Sequence, residues 1–406
     1  MPYLSKTIDN SSYQKHLSYY YVLFAVMSDE KPYCLMPWIH LHIGDDGIAK
    51  ACCVANIPFG NINKQEVKEI WDSKAIQSLR STFKAGKIDK RCANCYKLEE
   101  SGATSIRQET HKKFKDTPLN FETPTPIYFD IRFSNVCNLK CRSCWHGASS
   151  SWFEDAKKLR TNKGQKAIIK NITDFDRFIS KSGPYLLHAQ EFYFAGGEPL
   201  VMEEHYRLLK WLIKNEVTKI KLRYNTNFTL LKYKGESILD LWRKFENIQI
   251  MASLDAQGET ASYIRTNSNW ESIVSNFKQA KKLSHLQLEI APTISVLNVE
   301  LLPELIQTCL HEDLISEEDI YINLLERPIH YNIQIIPLRL KERVSKKLSI
   351  FQQEISSIKL ISQIDEIIRY MNAKDQSKHW PKFISQNKQL DDLRNETLPS
   401  DYYEFD

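Results

Sequence analysis

Residues 129–144 read FDIRFSNVCNLKCRSC and join a strand pattern to three cysteines. The apolar run Ile127–Phe133 predicts a buried strand. Cys137, Cys141 and Cys144 follow it with the spacing C-x3-C-x2-C. Three thiolates on one short loop can hold three corners of a four-iron cluster, which leaves the fourth iron with an open coordination position. An open position of this kind distinguishes a catalytic metal site from a structural one.

Later segments repeat the alternation of a short apolar run with a helical pattern. In one of the helical stretches, Tyr206, Leu209 and Ile213 share a face. Alternating strands and helices predict parallel pairing and an α/β fold, and six units are too few for an eight-fold barrel. We therefore expect a partial, TIM-like (β/α)6 barrel with its chemistry at the carboxyl ends of the strands. After the first strand, the predicted strands are Glu191–Ala195, Ile220–Asn225, Ile248–Leu254, Leu286–Ser295 and Ile320–Leu324.

The composition of the chain argues against nucleic-acid-binding, membrane-spanning and secreted proteins. The net charge of +5 over 406 residues does not support nucleic-acid binding. The longest apolar candidate, Tyr19–Met27, is far short of the roughly 18 residues that suggest a membrane span. The N-terminus lacks a signal-peptide pattern, so we expect a cytoplasmic protein. Eight of the nine cysteines lie between Cys34 and Cys144. Clustered cysteines in a reducing compartment favour metal binding or redox chemistry over disulfides.

The chain divides into segments of different character. Near the N-terminus, Ile39, Leu41 and Ile43 alternate with polar residues, as in a half-buried strand, and Asp45-Asp46-Gly47 predicts a hairpin turn. Lys64–Ala85 has a helical pattern. The predicted segments are an N-terminal stretch (1–33), a small cysteine-rich hairpin and helix domain (34–100), a polar linker (101–125), the barrel core (126–325) and a charged helical extension (326–406).

The cysteine spacing after the first barrel strand resembles the signature of the radical S-adenosylmethionine (SAM) enzymes. The resemblance implies that Cys137, Cys141 and Cys144 hold a [4Fe–4S] cluster whose open iron binds the amino and carboxylate groups of SAM. An external one-electron reductant would then drive cleavage of SAM to a 5′-deoxyadenosyl radical, which abstracts hydrogen from a substrate. Many members have an aromatic residue at the position of Ser143, so adenine stacking must differ here. A zinc site with His146 as fourth ligand stays an alternative.

The same resemblance implies contacts to SAM at the ends of later strands. The stretch GGEP after the second strand is similar to the motif that binds the SAM amino group, and Asn-Thr-Asn after the third is a partial match in which Phe228 replaces a glycine. A serine and an arginine after the fourth strand would hold the carboxylate, with an aspartate near the ribose. Plain turns or a surface ion pair are the alternatives for these residues. The implied contacts are Gly196, Gly197, Glu198, Pro199, Asn225, Ser253, Asp255 and Arg265, with Thr293, Ser295 and Asn298 as further candidates.

A second cysteine set precedes the barrel. The pattern CLMPW, Asp-Asp-Gly, Cys-Cys, Gly-Asn-Ile and CANC resembles the twitch or SPASM auxiliary-cluster domains, which usually follow the core. The resemblance implies one auxiliary [4Fe–4S] cluster on Cys34, Cys52, Cys92 and Cys95. Cys53 could replace Cys52, and zinc is the alternative metal. Cys309 lies on an apolar helix face and is expected to be a buried, unreactive thiol.

The resemblance favours an enzyme that modifies a peptide or protein. A sugar, a nucleoside or another small molecule is the alternative substrate. A zinc- or cluster-binding interaction protein without enzymatic activity is the alternative function. The presence of GGEP, Ser253 and Arg265 favours the enzyme, because a non-enzymatic descendant would have no need of SAM contacts.

Overall fold

The computed structural model describes residues 33–44 and 46–397. The predicted N-terminal segment up to residue 32, the apolar run Tyr19–Met27 and Asp45 of the predicted turn lie outside the described residues. Within the described ranges, no helix combines the length and the apolar character needed to cross a membrane.

One eight-stranded sheet organises the chain. Its strand order is β10-β9-β6-β5-β4-β1-β2-β3, and all neighbours from β10 to β1 are parallel, whereas β2 and β3 are antiparallel. The strands are β1 (His40–Gly44), β2 (Ile48–Lys50), β3 (Pro58–Asn61), β4 (Tyr128–Ile131), β5 (Glu191–Phe194), β6 (Lys221–Thr226), β9 (Asn247–Ala252) and β10 (Leu286–Ile290).

The sixth barrel strand is attached beyond β10. The predicted strand Leu286–Ser295 divides into β10 and a two-residue strand, β11 (Thr293–Ile294), which pairs in parallel with β12 (Asn323–Leu324). A bridge between Ile290 and Ile320 joins the same two segments. The order β4-β5-β6-β9-β10-β12 confirms the predicted α/β class and the partial (β/α)6 barrel. A separate hairpin is formed by β7 (Lys232–Tyr233) and β8 (Glu236–Ser237).

Helices cover the outer face of the barrel. Phe194 on β5 contacts His205 at a ring distance of 4.8 Å, and Tyr224 on β6 contacts Trp242 at 5.3 Å. Alternate side chains along each barrel strand therefore pack against the helices in the apolar core, and the side chains between them face the barrel interior. The helices are α1 (Met36–Ile39), α2 (Val67–Trp71), α3 (Lys74–Lys84), α4 (Ala93–Glu100), α5 (Ile106–Lys113), α6 (Phe153–Lys158), α7 (Phe175–Leu186), α8 (Glu203–Lys214), α9 (Ile238–Trp242), α10 (Gly258–Ile264), α11 (Trp270–Ala280), α12 (Leu302–His311), α13 (Leu338–Phe351), α14 (Ile358–Asn372) and α15 (Trp380–Arg394).

The N-terminal domain adds a strand to the barrel. The half-buried strand that was predicted from Ile39, Leu41 and Ile43 is present as β1, but all five residues of β1 are buried. The reason is that β1 pairs in parallel with β4, so that its polar side chains face the barrel interior. His40 stacks near Tyr128 at 4.2 Å, and His42 Nδ1 lies 2.9 Å from Asp130 Oδ2. The helical pattern of Lys64–Ala85 is also present, divided into α2 and α3 at Asp72-Ser73.

The segment predicted to be a linker contains the helix α5. A capping box between Ser105 and Gln108 begins this helix. Glu109 accepts a hydrogen bond from Tyr321, and Lys113 forms an ion pair with Glu191 at the start of β5. The segment therefore packs against the amino-terminal end of the barrel instead of serving as a free connection.

The Lys113–Glu191 pair allows a test of this packing. Glu191 is only 3% exposed, so removing its partner leaves a buried carboxylate uncompensated. We expect Lys113→Met to lower the free energy of unfolding by about 3 kcal/mol. Adding Glu191→Gln should recover much of that loss, because the uncompensated charge is then gone. Chemical denaturation of the single and double variants measures both effects, and equal stability of Lys113→Met and the parent would contradict the packing.

Candidate functional site

The three-cysteine loop lies between β4 and α6 and contains no strand or long helix. Side chains hold its backbone instead. Ser149 Oγ donates to Leu139 O at 2.6 Å, Ser151 Oγ donates to Cys137 O at 2.7 Å, and Trp152 Nε1 donates to Cys141 O at 2.7 Å. Each of these bonds satisfies a backbone carbonyl of the loop. The loop conformation is thereby fixed by residues that follow it in the chain.

The three thiols of this loop are close to one another. Cys137, Cys141 and Cys144 are all half-buried. Burial is the main cause that raises the pKa of Cys137 and Cys144 to about 12, and the charge of Cys141 contributes to both, with Glu198 contributing to Cys137. Burial also raises the pKa of Cys141, opposed by Arg265. Thiols that oppose each other's ionisation are deprotonated when a cationic centre binds them, which is the chemistry of a thiolate-ligated cluster.

Arg142, inside the loop, joins it to the C-terminal extension. Its side chain is completely buried, and its Nη2 lies 2.5 Å from both Asp391 Oδ1 and Glu396 Oε2. Its guanidinium stacks on Tyr263 at 3.5 Å, and its Nε donates to Tyr263 O. Asn387 Oδ1 accepts from its Nη1 at 3.4 Å. The loop between the second and third cysteines is therefore held by α15 and the residues just after it.

A second arginine supports the loop from α15 itself. Arg394 Nε pairs with Asp155 Oδ2 at 2.8 Å, and its guanidinium lies over the Trp152 ring at 4.5 Å. Asp155 also pairs with Lys140 at 3.2 Å, within the cysteine loop. None of these partners was singled out in the sequence, because Arg142 and Asp391 are 249 residues apart.

The GGEP stretch packs directly against the cysteine loop. Gly196 and Gly197 have φ values of +75° and +55°, a region that side chains rarely occupy. A Cβ on Gly197 would lie 2.3 Å from Val136 O, and Glu198 N donates to the same oxygen at 2.7 Å. The second glycine is thus required by the close approach of two backbones. Pro199 begins a short 3-10 turn, Pro199–Val201.

Glu198 joins the ends of β5 and β6. Its carboxylate is 2% exposed and accepts from Leu200 N at 3.0 Å, Thr226 Oγ1 at 2.7 Å and Asn227 N at 2.6 Å. Burial raises its pKa, opposed by these hydrogen bonds. Three of its acceptor positions are occupied by the protein, so its clearest role is to fix the two strand ends.

The third strand end contacts the cysteine loop. Asn227 Nδ2 donates to Asn138 Oδ1 at 2.8 Å, whereas Asn225 accepts from Tyr193 OH at 3.0 Å inside the barrel. Phe228, which stands where the resemblance has glycine, is fully buried with φ of +54°. Its edge-on contact with Phe277 at 5.0 Å compensates for the unusual backbone conformation.

Asp255 and Arg265 form an ion pair beside the cysteines. Arg265 Nε lies 2.7 Å from Asp255 Oδ2, and its Nη1 lies 3.9 Å from Cys141 Sγ. Asp255 also accepts from Thr293 N at 2.8 Å. Ser253 is half-buried at the end of β9. The structure therefore brings the predicted residues of strands four and five next to the loop.

Two of the further candidates act within this edge of the barrel. Asn298 Nδ2 donates to Asp255 O at 3.0 Å and to Thr293 O at 3.1 Å, and its Oδ1 accepts from Ser295 N. Ser295 and Asn298 are both buried and hold the turn after β10 in place.

The second cysteine set also converges. Burial is the main cause that raises the pKa of Cys34 to about 12, and the charges of Cys95 and Cys92 contribute to the rise. Cys34 likewise raises the pKa of Cys52, after the larger effect of burial. Residues separated by up to 61 positions thus place their thiols within electrostatic range of one another. Four thiols, one buried and three half-buried, on a hairpin, a turn and a helix suit a fully ligated cluster or metal.

Cys52 and Cys53 have different surroundings. Cys52 is 8% exposed, and its Sγ accepts from Ala55 N at 3.3 Å. Cys53 is exposed, and the charges that act on its pKa belong to Asp130 and Arg132, inside the barrel, and to Cys95 of the auxiliary set. Each neighbour is therefore within electrostatic range of one auxiliary cysteine, Cys52 of Cys34 and Cys53 of Cys95, and the two differ in that only Cys52 is buried.

Among the described residues, no group of three or more His, Cys, Asp or Glu is placed to hold a metal ion. Ligands of a four-iron cubane bind different irons and need not meet at one point. His146, the alternative zinc ligand, has its Nε2 2.6 Å from Gln165 Oε1. Cys309 is fully buried on α12, which confirms its expected environment.

The contact between Arg142 and the C-terminal extension predicts a measurable loss. Arg142→Met should leave Asp391 and Glu396 without their buried partner and lower the free energy of unfolding by about 3 kcal/mol. Iron content after anaerobic reconstitution should fall as well, because the loop is no longer held. Arg339→Met, at an exposed position of α13, is the matched control. Parental stability and iron content in Arg142→Met would show that the contact does not support the loop.

Comparison with known proteins gives one family match. Residues 34–96 match SPASM, an iron–sulfur cluster-binding domain. No curated protein matches the chain.

Several solved structures are similar to part of this chain. One described as native anSMEcpe with bound AdoMet has 18% identity and a TM-score of 0.40, over 56% of this chain and 60% of that one. SuiB of Streptococcus suis bound to S-adenosylmethionine has 16% identity and a TM-score of 0.36, over 66% and 51%. Native anSMEcpe with bound AdoMet and Cp18Cys peptide has 16% identity and a TM-score of 0.40, over 57% of this chain and 60% of that one. The match spans about half to three-fifths of the length of these proteins.

The family match covers all four cysteines of the second set and their hairpin. It confirms the auxiliary domain that the sequence predicted before the barrel. Residues 34–96 of this chain therefore match a SPASM iron–sulfur cluster-binding domain, and β1 joins them to a partial (β/α)6 barrel.

Proposed function

We propose that this protein is a radical SAM enzyme with one auxiliary [4Fe–4S] cluster. The observation that carries the proposal is the position of Cys137, Cys141 and Cys144 on one loop at the carboxyl ends of the parallel strands, with GGEP packed against it. The adjoining SPASM domain supports an iron–sulfur protein. When bound and reduced, the loop cluster would supply the electron that cleaves SAM.

The residues of this chain have distinct roles in that proposal. Arg265 is held through its Nε by Asp255, and its Nη1 lies near Cys141. In the proposal, its two terminal amino groups bind the SAM carboxylate. Gly196 and Gly197 allow the backbone to approach the SAM amino group, and Glu198 fixes that turn. Ser253 and Asn225 line the same strand ends.

The four cysteines of the SPASM domain would ligate all four irons of the auxiliary cluster and leave no open coordination position. The role of this cluster would then be electron transfer or structural support. A peptide or protein is the favoured substrate, since that is the substrate class that the resemblance implies. A sugar, nucleoside or other small molecule is the second candidate. We place the enzyme in the cytoplasm, where cysteine thiols stay reduced and available as ligands.

Cys141→Ala tests the loop assignment. Wild-type protein reconstituted without oxygen should hold about eight irons, four for each cluster, and should form 5′-deoxyadenosine from SAM and dithionite. Cys141→Ala should hold about four irons and form none. Cys309→Ala, which changes a cysteine buried away from both sets, should behave as wild type. Undiminished 5′-deoxyadenosine from Cys141→Ala, or zinc without SAM cleavage in the wild type, would contradict the proposal.

Cys52 and Cys53 provide a matched pair for the auxiliary cluster. Because Cys52 is buried within electrostatic range of Cys34 whereas Cys53 is exposed, Cys52→Ala should lose about four irons and Cys53→Ala should lose none. Iron analysis and Mössbauer spectroscopy of the two variants measure the difference. The reverse pattern would assign the ligand to Cys53, and full iron content in both variants would contradict an auxiliary site that includes either.

A further inference from the structure

The interior of the barrel is lined by charged side chains, and several of them are paired within the protein. Asp130 on β4 binds Arg132, with Nε 2.8 Å from Oδ1, and also contacts His42. Glu191 on β5 is paired with Lys113. These pairs are closed among themselves and leave no charge for a ligand.

Arg223 differs from its neighbours. It is the central inward residue of β6, where Leu222 and Tyr224 are buried on the outer side and Arg223 is half-buried. Its Nε donates to Met251 Sδ at 3.2 Å, a weak acceptor. Among the described residues, its two terminal amino groups make no ion pair or hydrogen bond. A half-buried guanidinium therefore presents its fork to the barrel interior.

The surroundings of Arg223 hold the guanidinium in place without a direct ion pair, although the charges of Glu191 and Glu109 reach it. Its Cζ lies 4.9 Å from the centre of the Tyr193 ring, on which Arg132 also stacks at 5.6 Å. The Tyr193 hydroxyl is fixed by Asn225. The nearby carboxylate of Glu191 is taken by Lys113, and that of Glu289 accepts from Gln249 and Gln287. A rigid, stacked arginine with free donors is typical of carboxylate recognition.

The position of Arg223 relates it to the cysteine loop. Asn227, four residues further along the same strand and its turn, contacts Asn138 of that loop. At about 3.3 Å per strand residue, Arg223 lies roughly 13 Å below this contact. A substrate anchored at Arg223 would therefore extend its remaining atoms toward the strand ends where the proposed radical forms.

We propose that Arg223 binds a carboxylate of the substrate, so that the substrate is an acidic compound. This inference rests on the proposed function, which places the reaction at the carboxyl ends of the strands. The carboxylate can belong to an acidic side chain of a peptide or to a free organic acid. A single negative charge matches one guanidinium fork, and a carboxylate meets less repulsion from Glu109 and Glu191, whose charges act on Arg223, than a phosphate dianion would.

The test measures ligand binding to the reconstituted holoprotein by anaerobic NMR titration. The probes are acetyl-Gly-Glu-Gly-amide, its glutamine counterpart acetyl-Gly-Gln-Gly-amide, and glutarate. We expect the glutamate peptide or glutarate to bind at least about tenfold more tightly than the glutamine peptide. The tighter of the two acids identifies the source of the carboxylate, peptide or free acid.

Variants assign the preference to one residue. Arg223→Gln should abolish it, Arg223→Lys should retain part of it, and Arg339→Gln, at an exposed site on α13, should retain all of it. Equal binding of all probes to the wild type, a result that needs no variant, would overturn the inference. A preference that survives in Arg223→Gln would overturn it as well. Formation of 5′-deoxyadenosine by the wild type is recorded separately, so that failure of the proposed function is distinguished from failure of this inference.

Discussion

The cysteine loop between β4 and α6 must hold three thiols together without a helix or strand to support them, and the rest of the site depends on how this is done. Its carbonyls are bonded by Ser149, Ser151 and Trp152, which follow the loop. Gly197 allows the second strand end to approach Val136 closely. Arg142 binds the loop to the C-terminal extension through two carboxylates. Support from three directions replaces the regular hydrogen bonding that the loop lacks.

The barrel and the SPASM domain form one continuous sheet. Because β1 pairs with β4, the auxiliary domain extends the open edge of the barrel next to the first strand. His42 from β1 enters the charged interior and contacts Asp130. The helix α5 reaches the amino-terminal ends of the strands through Lys113 and Glu109. An auxiliary domain that precedes the barrel in sequence is thereby placed beside it, and the strand ends near the cysteine loop stay available.

Local patterns in the sequence predicted much of this arrangement. The barrel strands follow from short apolar runs, and the two cysteine sets follow from spacing. The missing parts depend on contacts between residues distant in the chain. The pairing of β1 with β4 joins residues 88 positions apart, such as His40 and Tyr128. Because of this pairing, β1 is fully buried, whereas its sequence pattern predicted a half-buried strand. The charged helical tail was expected, but nothing local in Asp391 or Glu396 indicates that they bind Arg142. A polar segment with prolines near its end looked like a linker, although Glu109 and Lys113 bind the barrel.

The central claim is that three thiolates on one loop leave one iron open for SAM. Mössbauer spectroscopy of anaerobically reconstituted, iron-57-labelled protein, before and after addition of SAM, tests this claim most directly. The account predicts that a single iron site of one cluster changes its isomer shift when SAM binds, while the irons of the SPASM domain are unaffected. Spectra that are identical with and without SAM, in protein that holds both clusters, would contradict it.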